Sequence, residues 1–290
     1  MHRGYARLNG LTLALGAALA LVLVSCGEEQ PESPPQAGAQ PTCEKDQLSL
    51  HETGQLTIAT DKPAYPPWFE NNDPSNGKGF ESAVAYAVAE EMGFSEDEVT
   101  WVVEPFNKSY APGPKDFDFD INQISITEKR EEAVDFSDGY YTVNQALVGL
   151  KESPLTDVAS LNELKDYKLG AQVGTTSYAY IEQFIQPEQQ PFTYDTTNDA
   201  KSALRAEQID GIVLDLPTAF FVTAAEIPGS EVVGQFPTQG EAEQFGLLFE
   251  SGNELVECVN QALAALKDDG TLEEIQDRWL SQAVDAPELE

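Results

Sequence analysis

The sequence predicts an α/β protein made of two doubly wound α/β lobes. Three observations predict it. Short β-rich runs alternate with helical segments, the alternation breaks near Asn144 to Lys151 and restarts from Leu161, and 290 residues with 41% hydrophobic composition suffice for two moderate cores.

The chain opens with a targeting segment. In residues 1–25, Arg3 and Arg7 precede an apolar run from Leu11 to Val24 that is shorter than the roughly 20 residues needed to cross a bilayer. Leu23-Val24-Ser25-Cys26 fits a bacterial lipobox, so Cys26 is expected to become the N-terminal residue and to carry a diacylglycerol lipid; an uncleaved anchor is the alternative. Either way the rest lies outside the cytoplasm. Residues 26–45 then form the lipidated cysteine and a tether, because Gly27 to Thr42 is rich in Pro, Glu, Gln and Ala and has no large apolar residue with which to order itself. Two cysteines remain, Cys43 and Cys258. In an oxidising compartment the expectation is a disulfide between them, worth about 5 kcal/mol by chain entropy for so long a loop, with two buried thiols as the alternative.

Leu56 to Thr60 reads as a strand, and Asp61 to Trp68 must be a loop, because its three prolines fix φ and remove backbone donors. Loops after strands are where ligands bind in open α/β sheets. Phe80 to Met92 is a helix stopped by Gly93, Val99 to Val103 a strand, and Phe106 to Lys115 a long loop. Phe119, Ile121, Ile124 and Ile126 mark a buried strand, followed by a short helix from Glu128 to Val134 behind the N-cap Thr127. In the second lobe, Lys168 to Val173 is a strand, Thr175 to Ile185 and Ala200 to Gln208 are helices, and Ile209 to Leu214 is a strand ending at Asp215. Gln235 to Glu243 is a connector, Phe245 to Phe249 another strand, and Glu254 to Lys267 and Leu272 to Leu280 are amphipathic helices.

Charge removes several functions. With 50 acidic against 16 basic residues the formal charge is −34, which excludes nucleic acid and repels anionic lipid. No cofactor is expected. The sequence contains no metal-ligand cluster and no Ser-His pair, and His51 is the histidine left after signal cleavage, so neither a catalytic residue nor a metal site is assigned.

Arg130 is the most suggestive side chain. It falls in the first turn of a helix just past a strand end, where free backbone N–H groups and a guanidinium fork together suit a small carboxylate. The bland alternative is a surface arginine paired with Glu131 or Asp135. Gly174-Thr175-Thr176-Ser177 likewise sits between a strand and a helix, where Thr and Ser also serve as ordinary caps. Asp215 precedes Pro217 and could simply cap the next helix.

The run S-I-T-E-K-R followed by V-D-F-S-D-G-Y-Y closely resembles the signature of the family 3 solute-binding proteins, the polar amino acid receptors of bacterial ABC importers. The resemblance extends over roughly Leu56 to Leu280, through T-D-x-x-x-Y at Thr60, G-F-E at Gly79, A-L-x-x-x-x-I-D-G before Asp215 and V-N-x-A-L-x-x-L-K-x-D-G-T-L near the end. It implies a type II periplasmic-binding-protein-like fold whose lobes are joined by a two-crossing hinge. Residues 46–146 would then form the first part of lobe 1, 147–240 lobe 2, 241–283 the return to lobe 1 and 284–290 a C-terminal tail. The implied role is a monomeric, lipid-anchored binding protein on the outer face of the cytoplasmic membrane, passing an L-amino acid to permease subunits. Arg130 with Ser125 and Thr176 would hold the α-carboxylate and Asp215 the α-ammonium. Tyr65, Trp68 and Phe106 would wall the side chain, with Asp61 reading it and Gln123 bordering the pocket. Asp120, Asn122 and Gln123 depart from the small or apolar residues usual there, so side-chain preference does not transfer from relatives. The alternative is an extracytoplasmic enzyme on the same scaffold, such as a cyclohexadienyl dehydratase-like lyase, with Glu81 or Glu104 as general acid.

Overall fold

The computed structural model describes residues 42–281 and 286–290. The signal segment, Cys26 and nearly all of the tether lie outside the described residues. The elements run β1 (Leu56–Thr60), α1 (Phe80–Glu91), β2 (Val99–Val103), α2 (Phe106–Ser109), β3 (Phe119–Asp120), α3 (Glu128–Glu131), β4 (Val134–Phe136), β5 (Tyr141–Thr142) and β6 (Gln145–Leu150). They continue with β7 (Leu169–Gln172), α4 (Thr176–Tyr180), β8 (Phe192–Tyr194), α5 (Thr197–Arg205), β9 (Gly211–Asp215), α6 (Leu216–Phe221) and β10 (Ser230–Gln235). The last are β11 (Gln244–Phe245), β12 (Leu248–Glu250), α7 (Leu255–Asp268) and α8 (Thr271–Leu280).

Two five-stranded sheets result, in the orders β2-β1-β3-β12-β4 and β10-β6-β9-β7-β8, with β5 and β11 as a separate pair. In lobe 1, β1 runs parallel to β2 and β3, while β12 returns antiparallel between β3 and β4. In lobe 2, β7 is parallel to β8 and β9, and β6 is antiparallel to β9 and β10. The central strands are buried on both faces: all five residues of β1 are buried, Thr57 and Thr60 included, and helices or loops cover both faces. Helix α7 buries Leu255, Cys258, Val259, Ala262, Leu263 and Leu266, a spacing of three and four that lays one face on lobe 1. Cys258 on that face is bonded to Cys43, tying the start of the described chain to a helix 215 residues later.

Several local expectations give way to long-range pairing. The helix predicted over Glu128 to Val134 stops at Glu131, because Val134–Phe136 is taken by β12, a strand supplied from far along the chain. The strand predicted over Phe245 to Phe249 is broken at Gly246, where a Cβ would stand 2.8 Å from Ile126 Cγ1; Phe245 pairs with β5 and Leu248 with β3 and β4. The buried run through Ile121 and Ile124 is strand only at Phe119–Asp120, although both isoleucines are fully buried. The loop from Phe106 begins with the single-turn α2. The helix from Thr175 to Ile185 is α4 followed by a π-turn, Ile181–Ile185, ended by Gln186 in the left-handed region.

The end of the chain also binds lobe 2. Leu289 is 2% exposed in its core, Gln235 N donates to Pro287 O at 2.8 Å, Leu289 N to Gln235 O at 2.9 Å, and Leu161 N to Glu290 O at 2.9 Å. These bonds extend the sheet beyond its edge strand β10, which would otherwise present unpaired backbone groups.

Candidate functional site

The chain passes between the sheets twice, at β5–β6 and at β10–β11, and the ends of β3, β7 and β9 face one another across a cleft beside those crossings. The cleft narrows to a cavity of about 70 Å³ lined by Asp61, Tyr65, Phe106, Asn122, Gln123 and Arg130 from lobe 1 and by Thr175, Thr176, Asp215 and Thr218 among those from lobe 2.

Arg130 reaches it because Thr127 caps α3, its Oγ1 accepting from Arg130 N at 3.3 Å, which sets the arginine in the first turn. The side chain is 7% exposed. Nη1 donates to Ser125 O at 2.7 Å and Nη2 crosses the cleft to Gly174 O at 3.1 Å. The guanidinium lies over the rings of Phe106 and Tyr110, at 5.4 and 4.8 Å from their centroids. Burial pulls its pKa down from the ordinary value, and Tyr110, Glu243 and Asp215 oppose that. Arg130 is therefore no surface partner of Glu131 or Asp135; two of its five N–H donors are held by backbone oxygens and its face by aromatic rings.

Gly174 makes the crossing possible. Its φ is +79°, and a Cβ there would lie 2.4 Å from both Asn107 Oδ1 and Tyr110 Oη, the pair that closes over it from the other lobe. Thr175 caps α4, accepting from Tyr178 N at 3.1 Å, and so delivers Thr176 Oγ1 to 3.3 Å from Ser125 Oγ.

Asp215 stands at the N-cap of α6 but makes no capping bond. Its carboxylate turns into the cleft instead and accepts from Gln145 Nε2 at 2.7 Å. Enclosure by protein, and then the nearby Glu243 carboxylate, push its pKa up to about 8, against the Gln145 bond. Among the described residues the ion pairs are Lys45–Glu98 and Lys201–Glu226, each at 2.6 Å, so neither Arg130 nor Asp215 is neutralised by a directly paired charge.

The side-chain end of the cavity is more mixed. Asp61, Tyr65 and Phe106 line it, and Lys201 Nζ from α5 lies 4.9 Å from the centre of the Tyr65 ring. Gln123 lines it too, but its N and Nε2 are engaged by Glu81. Glu81 is fully buried and also accepts from Tyr140 Oη at 2.5 Å; burial pushes it up to about 7 against these bonds. Trp68 is corrected. It is fully buried in the lobe 1 core, edge-on to Phe80, Tyr141 and Phe245 at 5.5 to 5.9 Å, because those rings give it a dry socket that the prolines around it did not suggest. Its indole Nε1 alone reaches toward the cleft, donating to Thr218 Oγ1 at 2.9 Å.

Three residues went unassigned in the sequence. Gln145 is 3% exposed and joins Asp215 to Ser177, whose Oγ donates to Gln145 Oε1 at 2.6 Å. Glu243, from the second crossing, accepts from Ser125 Oγ at 2.5 Å. Asn122 lines the cavity with Nδ2 buried and unpartnered. A glutamine opening a strand and a glutamate in a connector carry no local signal; Asn122 stands out in the sequence as a polar residue between Ile121 and Ile124, without a role attached to it.

Among the described residues no group of three or more His, Cys, Asp and Glu side chains is arranged to hold a metal ion, and no helix is long and apolar enough to cross a membrane.

A sequence profile of the bacterial extracellular solute-binding proteins, family 3, matches residues 56–282. The L-cystine-binding protein TcyJ of Escherichia coli (strain K12) is 27% identical over 237 residues, covering 81% of this chain and 86% of that protein. The ABC transporter arginine-binding protein 1 of Escherichia coli (strain K12) is 30% identical over 224 residues, covering 75% of this chain and 88% of that one. Among solved structures, an ancestral arginine-binding protein bound to glutamine is 30% identical and superposes with a TM-score of 0.67, over 79% of this chain and 99% of the other.

Proposed function

We propose that this chain, which belongs to the family 3 bacterial extracellular solute-binding proteins, captures a polar L-amino acid in the cleft between its lobes and delivers it to the permease of an ABC importer. The observation that carries the reading is the convergence of Arg130 from one lobe and Asp215 from the other on a single small cavity with no direct ion pair between them. A zwitterion supplies the missing counter-charges. Its carboxylate takes Arg130 with Thr176, its ammonium takes Asp215 with the Ser125 oxygen, whose proton Glu243 accepts, and its side chain lies against Tyr65 and Phe106 toward Asp61 and Gln123.

Because the partners belong to different lobes, bound amino acid favours the closed arrangement through contacts the open one lacks. Charge-assisted bonds contribute about 1.5 to 3 kcal/mol each, which makes an affinity near micromolar, about −8 kcal/mol, reachable with few of them. The cystine- and arginine-binding relatives support a polar ligand. The protein acts as a monomer held by the lipid on Cys26 to the outer face of the cytoplasmic membrane, with no cofactor. The enzyme alternative gains nothing from its two candidate acids: Glu81 is enclosed by Gln123 and Tyr140, and neither it nor Glu104 lines the cavity.

Titration calorimetry of the signal-free protein against the twenty standard L-amino acids tests the reading. At least one should bind, and Arg130→Ala should abolish that heat. Undiminished binding by the variant, or no binding by the parent, would sink it.

A further inference from the structure

Glu243 lies on the second crossing between the lobes and directs its carboxylate at the hydroxyl and amide groups behind the cavity. It accepts from Ser125 Oγ of lobe 1 at 2.5 Å and from Gln145 Nε2 of lobe 2 at 3.2 and 3.4 Å. Both partners are nearly sealed from solvent, 2% and 3% exposed.

Counting protons there gives an uneven result. Gln145 Nε2 has two, and faces three acceptor groups: Asp215 Oδ1 at 2.7 Å, Glu243, and Thr176 Oγ1 at 3.5 Å. The Ser125 hydroxyl has one proton, and Glu243 takes it. What remains on this side of the cleft is acceptor capacity on Ser125 Oγ and Asp215, while the Thr176 hydroxyl keeps a proton of its own. An ammonium group is the natural complement, with three donors and no acceptor.

We propose that Glu243 is a positioning residue for the ligand's ammonium: by holding the Ser125 proton away from the cleft it makes that hydroxyl an acceptor only, and so selects an amine over a hydroxyl at the α-carbon. This rests on the reading that the cleft takes an amino acid. Glu243 does not itself line the cavity with Asp215; it acts through Ser125 and Gln145. A 2-hydroxy acid with the same carboxylate and side chain offers one donor and two lone pairs in place of three donors, and against a wall of acceptors it leaves oxygens unpaired.

The experiment is calorimetry on the signal-free protein with the most tightly bound of the twenty standard L-amino acids and with its 2-hydroxy acid. The parent protein should favour the amino acid by at least about tenfold, the worth of one charge-assisted bond, and Glu243→Gln should narrow that ratio by a similar factor. Glu243→Asp, which keeps the charge, should restore part of it, and in a Ser125→Ala background Glu243→Gln should narrow the ratio no further. A Glu243→Gln protein that weakens both compounds by the same factor makes Glu243 a mere strut of the hinge and overturns the proposal, as does an unchanged ratio. If the parent binds no amino acid at all, the functional reading itself fails and the proposal falls with it.

Discussion

The two charged poles of the cleft are held in opposite ways. Arg130 is anchored by its surroundings: two backbone carbonyls, one from each lobe, each take one of its five N–H donors, and two aromatic rings cover its face. Asp215 has one side-chain donor, Gln145 Nε2, and a second carboxylate nearby that raises its pKa further. The arginine is thus preorganised as a cation whether or not anything is bound, while the aspartate is poised near neutrality and becomes a full anion when a cation arrives. Under the proposed function the fixed charge would face the ligand's carboxylate and the adjustable charge its ammonium.

The comparison can be broken most directly at its fixed pole. Arg130→Ala should reduce amino acid affinity by at least about a hundredfold in calorimetry, since it removes the cation proposed to hold the ligand's carboxylate. At the adjustable pole the effect should be smaller and should depend on pH. Because Asp215 must lose its proton to take the ammonium, affinity should strengthen as pH rises toward about 8, by up to about tenfold per unit for one linked proton. Asp215→Asn should weaken binding and flatten this dependence; a parent protein equally tight at pH 6 and pH 8 would remove the asymmetry. The same shift has the opposite sense for folding of the ligand-free protein. A carboxyl whose pKa is raised contributes stability that is complete below its ordinary value of 3.8 and is lost as pH rises through about 8.

Gly174→Ala tests the crossing that links the poles. The added methyl meets Asn107 and Tyr110 only when the lobes are together, so affinity should fall, by about tenfold, more than the positive φ alone lowers the melting temperature. Smallest for binding should be Leu289→Ala in the tail on lobe 2. Removing this buried side chain should cost about 2 to 4 kcal/mol in urea unfolding while leaving the contrast between Arg130 and Asp215 intact.

Much of this cleft was legible before any fold was seen, for a physical reason particular to each residue. Thr127 caps α3 through a bond to Arg130 N three residues on, so the arginine's place in the first turn follows from neighbours alone. Thr175 does the same for Thr176. Trp68 failed this test because its surroundings are set by Phe80, Tyr141 and Phe245, and nothing near Trp68 in sequence announces them. Asp215 was legible as a residue of interest, but both roles, cap and cleft carboxylate, fitted the pattern before Pro217. The observed bond to Gln145, 70 residues away, decided between them.

By itself the sequence determined short-range features: where strands alternate with helices, where α1 and α3 begin, and that the proline segment after β1 is irregular. These rest on propensity, capping and composition, which act within a few residues. Only the tertiary structure decided that Ser125, Gln145, Thr176, Asp215 and Glu243 meet, across separations of up to 118 residues, and that β12 takes Val134–Phe136 from the predicted helix. Such meetings follow from burying two sheets and joining them by two crossings, and no local energy term encodes them.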